Sequence, residues 1–239
     1  MFATTHRILA QLRRDRRTIA MMVLLPALLT VLLRYVFNSK QLFEHVAPAL
    51  LGIFPFIVMF LITSVATLRE RTSGTLERLM TTPIGKVDLL LGYALAFGIF
   101  AILQVAVVTG LAWGWLGLDI TGSVGLLALV AVLDAILGMA LGLLVSAFAR
   151  SEFQAVQFMP LVAAPQALVC GLFTPRDQMA TALYWFSDLM PLSYAVDATK
   201  LVTRSSEVTN ELVRDIVVVA ACAVLALVLG ALTLRRQTD

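Results

Sequence analysis

Val46-Ala47-Pro48-Ala49-Leu50-Leu51-Gly52-Ile53-Phe54-Pro55-Phe56-Ile57-Val58-Met59-Phe60-Leu61-Ile62-Thr63-Ser64-Val65-Ala66-Thr67-Leu68 carries no charge. It is longer than the roughly 20 apolar residues that a helix needs to cross a bilayer. Immediately after it the chain becomes polar: Arg69-Glu70-Arg71-Thr72-Ser73-Gly74-Thr75-Leu76-Glu77-Arg78-Leu79-Met80-Thr81-Thr82-Pro83. A span followed abruptly by a compact charged segment sets the plan of the whole chain.

Five more apolar stretches surround it. With 46–68, the residues 18–37, 87–116, 124–149, 153–173 and 216–234 give six expected transmembrane helices in an all-α polytopic protein. The 239 residues are 60% apolar and 14% charged, and the mean hydropathy is +0.92, far from the balance of a water-soluble domain. Twelve of the 18 basic residues fall before the first span, between spans two and three or four and five, and after the sixth. The positive-inside rule therefore places both termini in the cytoplasm of a cell inner or plasma membrane. Arg34 ends the first span and can snorkel outward.

Residues 1–17 are too basic, and the apolar run after them too long, for a cleaved signal, so the segment is expected to be retained. Ile8, Leu9 and Leu12 stand at helical spacing among arginines, which predicts an amphipathic interfacial helix; a disordered basic tail is the alternative. Residues 174–215 form the one long outer segment. Its stretch 179–195 is too apolar for a solvated loop, yet Asp188 and Pro191 interrupt it. Short helices dipping into the outer leaflet fit, as does a folded outer cap.

Several classes of chemistry have no support. Nothing resembles a basic, aromatic-laced nucleic-acid surface. His6 and His45 fall on opposite sides of the membrane, so no metal set is expected. The sequence has no HExxH, no G-x-S-x-G and no phosphate loop G-x-x-x-x-G-K-[ST]. Cys170 and Cys222 lie in apolar surroundings and read as small core residues. An intramembrane enzyme would need nucleophile partners at one depth, and an ion-coupled transporter several charges near mid-membrane.

Asp134 is the single charge in the middle of a span. A carboxylate there costs about 2.5–3.5 kcal/mol to insert, so it should face the bundle interior. It is either a contact for a cationic substrate or proton, or a structural partner of Gln104 or Thr109. Gly110 and Gly114, and Gly138 and Gly142, have the small-xxx-small spacing that lets helices approach, within one chain or between two.

Residues 70–83 resemble the E-R-x-x-G-T-L-E-x-L-x-x-T-P segment of ABC-2 type permeases, the membrane subunits of a large group of ABC transporters. Glu70, Arg71, Gly74, Thr75, Leu76, Glu77, Leu79, Thr82 and Pro83 match in register. Gly171-Leu172-Phe173-Thr174-Pro175 and Pro191-Leu192-Ser193-Tyr194-Ala195-Val196-Asp197-Ala198 are similar to that family's G-x-F-x-P and P-L-x-Y-x-x-x-A elements. The likeness covers the chain from 1 to 239 as one transmembrane domain: interfacial helix 1–17, cytoplasmic coupling segment 69–86, outer segment 174–215.

The resemblance implies an ATP-driven exporter half that pairs with a second permease chain, identical or related, and with two cytoplasmic ATP-binding subunits. ATP and Mg would enter through those subunits and no cofactor through this chain. The coupling residues would be those just named together with Met80, and the outer re-entrant residues Phe173, Pro175, Pro191, Leu192 and Tyr194. Leu76, Leu79 and Met80 share a helical face, with Glu70, Arg71, Glu77 and Arg78 as a charged rim. The alternative is a solvated loop that only enforces topology. Within the family the chain resembles daunorubicin-resistance-type drug exporters, although its first outer loop, 38–45, is short. Lipid and polysaccharide exporters share the plan.

Overall fold

A computed structural model of the chain describes residues 5–10, 15–73 and 86–233. Among them all regular structure is helical. After a helical stretch over 5–10 come α1 (Arg16–Phe37), α2 (Lys40–Thr72), α3 (Lys86–Gly114), α4 (Val124–Ser146), α5 (Glu152–Val169), a 3-10 turn (Arg176–Gln178), α6 (Thr181–Leu189), α7 (Pro191–Arg204) and α8 (Asn210–Thr233).

Serines open three of these helices. The Oγ atoms of Ser39, Ser123 and Ser151 accept from the backbone N–H three residues on, so each helix begins with a donor satisfied. Pro191 begins α7, where its missing N–H costs nothing. Pro26 lies inside α1, and the Thr30 hydroxyl donates to its carbonyl oxygen (2.8 Å).

α2 is the axis of the bundle. In its most apolar window 67% of residues are buried, against 22% for both α1 and α8, whose leucines and valines face outward as lipid-facing helices require. Phe43, Leu51, Phe56, Met59 and Phe60 along α2 are fully buried. Toward the end of the bundle that carries Arg7, Glu70 and Ser146, the core joins Ile8, Met22, Met59, Tyr93, Phe97 and Met139. At the opposite end Phe43, Leu51, Val108, Leu127 and Leu212 form a second cluster, and a third lies beneath α7.

Among the described residues, five helices are long and apolar enough to cross a membrane: residues Ile19–Phe37 of α1, α2, Leu91–Gly114 of α3, α4 and α8. The fifth expected span is the 18-residue α5. Gln154, Gln157, Gln166, Pro160 and Pro165 make it less apolar than the others. It nevertheless joins the two ends, because Glu152 meets Arg69 and Gly171 meets Lys200.

Two boundaries differ most from the sequence reading, each by six residues. The expected outer loop 38–45 is a two-residue turn, Asn38 and Ser39, because α2 already begins at Lys40. Asn38 takes a positive φ (44°), a conformation that asparagine tolerates better than most residues. α8 starts at Asn210, six residues earlier than its apolar run, because polar residues continue the helix beyond the hydrocarbon stretch. Of the interfacial helix expected over 1–17, residues 5–10 are helical and insert Ile8 into the core, but Asp15 is non-helical and Arg16 and Arg17 already belong to α1; residues 1–4 and 11–14 lie outside the described residues.

Candidate coupling site and outer cluster

Of the motif 70–83, Glu70 and Arg71 are described; Gly74, Thr75, Leu76, Glu77, Leu79, Met80, Thr82 and Pro83 lie outside the described residues. The end of α2 leading into them is tied down on three sides. Arg69 forks onto Glu152 at the start of α5, Nε to Oε1 at 2.6 Å and Nη2 to Oε2 at 2.9 Å. That guanidinium holds the Glu152 carboxyl below its usual range. Arg71 donates to the Ser146 carbonyl at the end of α4 (2.9 Å).

Glu70 points inward, not outward as a rim residue would. It accepts from Arg7 of the N-terminal stretch (2.9 Å) and from the Tyr93 hydroxyl of α3. Thr5 donates to the Gly92 carbonyl beside it (3.3 Å). Arg69, Glu70 and Arg71 therefore join α2 to the N-terminal stretch, α3, α4 and α5. Local spacing of acids and bases carries no sign of these ties, since each partner is 23 to 83 residues away.

At the opposite end the outer motif surrounds Arg176, a residue the sequence reading counted only as a charge. Its side chain, 11% exposed, pairs with Asp188 and with Asp197 (2.5 Å), and Nε donates to Ser187 Oγ (2.8 Å). Tyr184 and Tyr194 lie 5.7 and 5.5 Å from its guanidinium, within cation–π range. Tyr194 also faces Arg214 of α8 at 6.0 Å and donates its hydroxyl to the Asp188 carbonyl (2.8 Å). Burial, with Asp188 nearby, pushes the Tyr194 phenol up.

The other motif residues divide by role. Leu192 is fully buried, and its N–H donates to Gln166 of α5 (3.4 Å). Pro191 starts α7 and Pro175 precedes the 3-10 turn. Phe173 is exposed, on the rim of an apolar pocket that Leu168, Met179, Leu183 and Phe186 also line. α6 is exposed along most of its length, whereas α7 packs over α2, α4 and α8.

Asp134 is fully buried, with one carboxylate oxygen facing Gly52 of α2, where α7 also packs through Val196 and Thr199. The expected bond to Gln104 or Thr109 is not made: among the described residues neither carboxylate oxygen has a hydrogen-bond partner, nor do those two side chains. The neighbour it faces is therefore on α2, beside α7. Gly138 and Gly142 pack onto the backbone of α2, so that glycine pair works within the chain, while among the described residues nothing lies against Gly110 or Gly114.

Residues 1–202 match the model of the ABC-2 type transporter family, and the chain belongs to that family. Similar proteins include the probable multidrug ABC transporter permease YbhS of Escherichia coli (26% identical over 89% of this chain and 57% of that protein). ABC transporter G family member 20 of Dictyostelium discoideum is 28% identical over 68% of this chain and 22% of its own length. The inner membrane transport permease YhhJ of Escherichia coli is 28% identical over 61% of this chain and 39% of its own. The chain thus matches from about a fifth to somewhat over half of the length of these relatives.

Proposed function

We propose that the chain is the membrane permease of an ATP-driven exporter that moves a hydrophobic or amphipathic compound, a drug or antibiotic, outward across the cell membrane. α5 is the sixth crossing, both termini are cytoplasmic, and α6 and α7 are the outer re-entrant helices. Two permease chains, the same or related, line the path. Two cytoplasmic ATP-binding subunits carry ATP and Mg, since the chain has no phosphate loop of its own.

The observation that carries this reading is the anchored root of the segment 74–83. A docking segment can pass on force only if its base is fixed to the helices that must move, and Arg69, Glu70 and Arg71 fix that base to four other segments. Within 74–83, Leu76, Leu79 and Met80 form the apolar face that seats in the ATPase groove. The similarity to YbhS, named a probable multidrug permease, supports a multidrug substrate class.

Asp134 supplies the charge that a lipophilic cation meets when α7 lifts from Gly52. The test is ATP-dependent accumulation of Hoechst 33342 in inside-out vesicles holding the chain and its candidate ATPase. Accumulation that needs both chains is expected; accumulation without the ATPase, or none with both, contradicts the proposal.

A further inference from the structure

Arg69, Glu70 and Arg71 are consecutive, so a helical step of about 100° per residue sends them in three directions. Arg69 and Arg71 both reach the short connection between α4 and α5, one at each end of it. Arg71 takes the Ser146 carbonyl, where α4 ends, and Arg69 takes Glu152, where α5 begins.

The connection is itself tightly bonded. Ala147 and Phe148 donate to the carbonyls of Leu144 and Val145, and the Arg150 N–H donates to Gln154 Oε1 (2.8 Å). Leu68, Ala149 and Ala155 pack together beneath it. A stiff elbow held at both ends by residues two apart on α2 follows whatever moves α2's end.

α5 is built to respond. It packs chiefly on α2, less on the outer helices α7 and α6, and least on α4. Pro160 and Pro165 each remove a backbone donor, so the helix can bend between its two halves. Its far end reaches α7 through Gln166 and Leu192.

We propose that Arg69 and Glu152 are positioning residues that transmit movement of the segment after α2 to α5, and through α5 to the outer helices. This rests on the reading of 74–83 as the segment that docks on an ATPase. The fork binds both carboxylate oxygens in parallel, so it fixes orientation as well as distance. Both side chains are half exposed or more, so the pair adds little to fold stability and its variants fold.

The test uses the full chain purified with its candidate ATPase, in a Cys170→Ala/Cys222→Ala background with spin labels at Val156→Cys on α5 and Leu232→Cys on α8. Both positions are exposed, and labelled chain is diluted with unlabelled. Adding ATP and vanadate should shift the distance between the labels. Arg69→Glu should keep the ATPase bound but lose the shift, and Arg69→Glu with Glu152→Arg should regain it.

A shift retained in Arg69→Glu, no shift without the substitution, or no recovery in the exchanged pair overturns the proposal. Loss of the ATPase from Arg69→Glu alone assigns Arg69 to docking and overturns it too. If the unsubstituted chain holds no ATPase, the docking reading fails first and takes the transmission role with it.

Discussion

Gly138 and Phe56 meet backbone to backbone: a Cβ on Gly138 would stand 2.2 Å from the Phe56 carbonyl oxygen. One helical turn on, a Cβ on Gly142 would stand 2.5 Å from the Phe60 carbonyl. The two glycines let α4 lie directly on α2, the close approach that small residues allow between membrane helices. This seam joins the helix carrying Asp134 to the helix leading into the segment 74–83.

Gly138→Ala should therefore separate α2 from α4 at a cost of about 1–3 kcal/mol or more. Gly110→Ala, where a Cβ meets none of the described residues within 4 Å, should leave stability unchanged. Thermal unfolding of the purified variants in one detergent compares them directly. Equal midpoints would refute the seam.

Removing Arg7 should loosen the root of α2. Arg7→Ala leaves the Glu70 carboxylate with Tyr93 alone among the described residues; Arg7 is about a third exposed, so solvent screens the loss and about 1–2 kcal/mol is expected. Glu70→Ala strands the buried Tyr93 hydroxyl as well and should cost more. The order of melting temperatures, native above Arg7→Ala above Glu70→Ala, checks this.

Arg176→Gln should release the outer cluster. It removes the partner of both Asp188 and Asp197, each about a third exposed on its side chain, for a cost of about 1–3 kcal/mol. Arg176→Lys should not rescue it, because an ammonium cannot fork onto two carboxylates while lying flat between Tyr184 and Tyr194. Protease cleavage between α5 and α7 should rise in both variants, and unchanged cleavage would count against the cluster as the clamp of the outer helices.

Asp134→Asn keeps the shape and removes the charge. Export of a lipophilic cation such as Hoechst 33342 should fall while export of a neutral compound persists, at equal protein levels. Equal export of the cation by both proteins would end the charge-recognition role.

The helices were legible in the sequence because hydrocarbon length and uninterrupted apolarity are local properties. α5 was the least legible: three glutamines and two prolines dilute its apolar run, and one of those glutamines, Gln166, accepts from Leu192, 26 residues away. The first outer loop was overestimated because Lys40 and Glu44 look like loop residues; in the structure they lie one turn apart on α2 and pair with each other. The motif positions Glu70 and Tyr194 were visible, but what they touch was not. Arg7 and Tyr93 for one, and Arg176 and Arg214 for the other, are brought close by folding alone. Asp134 is buried as its place in the span implies, yet that it faces Gly52 could not be read, because a glycine makes room for a carboxylate without any sequence signature of doing so.

The most direct test of the account is co-purification of the chain with its candidate ATP-binding partner, followed by ATP hydrolysis of the chain, the partner and the complex. The chain alone should hydrolyse nothing, and the complex should hold the ATPase and turn over ATP. Leu76→Asp should release the partner, since losing one apolar anchor costs about 1–4 kcal/mol of association, and Glu77→Lys should weaken it. ATP hydrolysis by the chain without any partner, or full retention of the ATPase by Leu76→Asp, would contradict the assignment of this chain as a permease driven through the segment after α2.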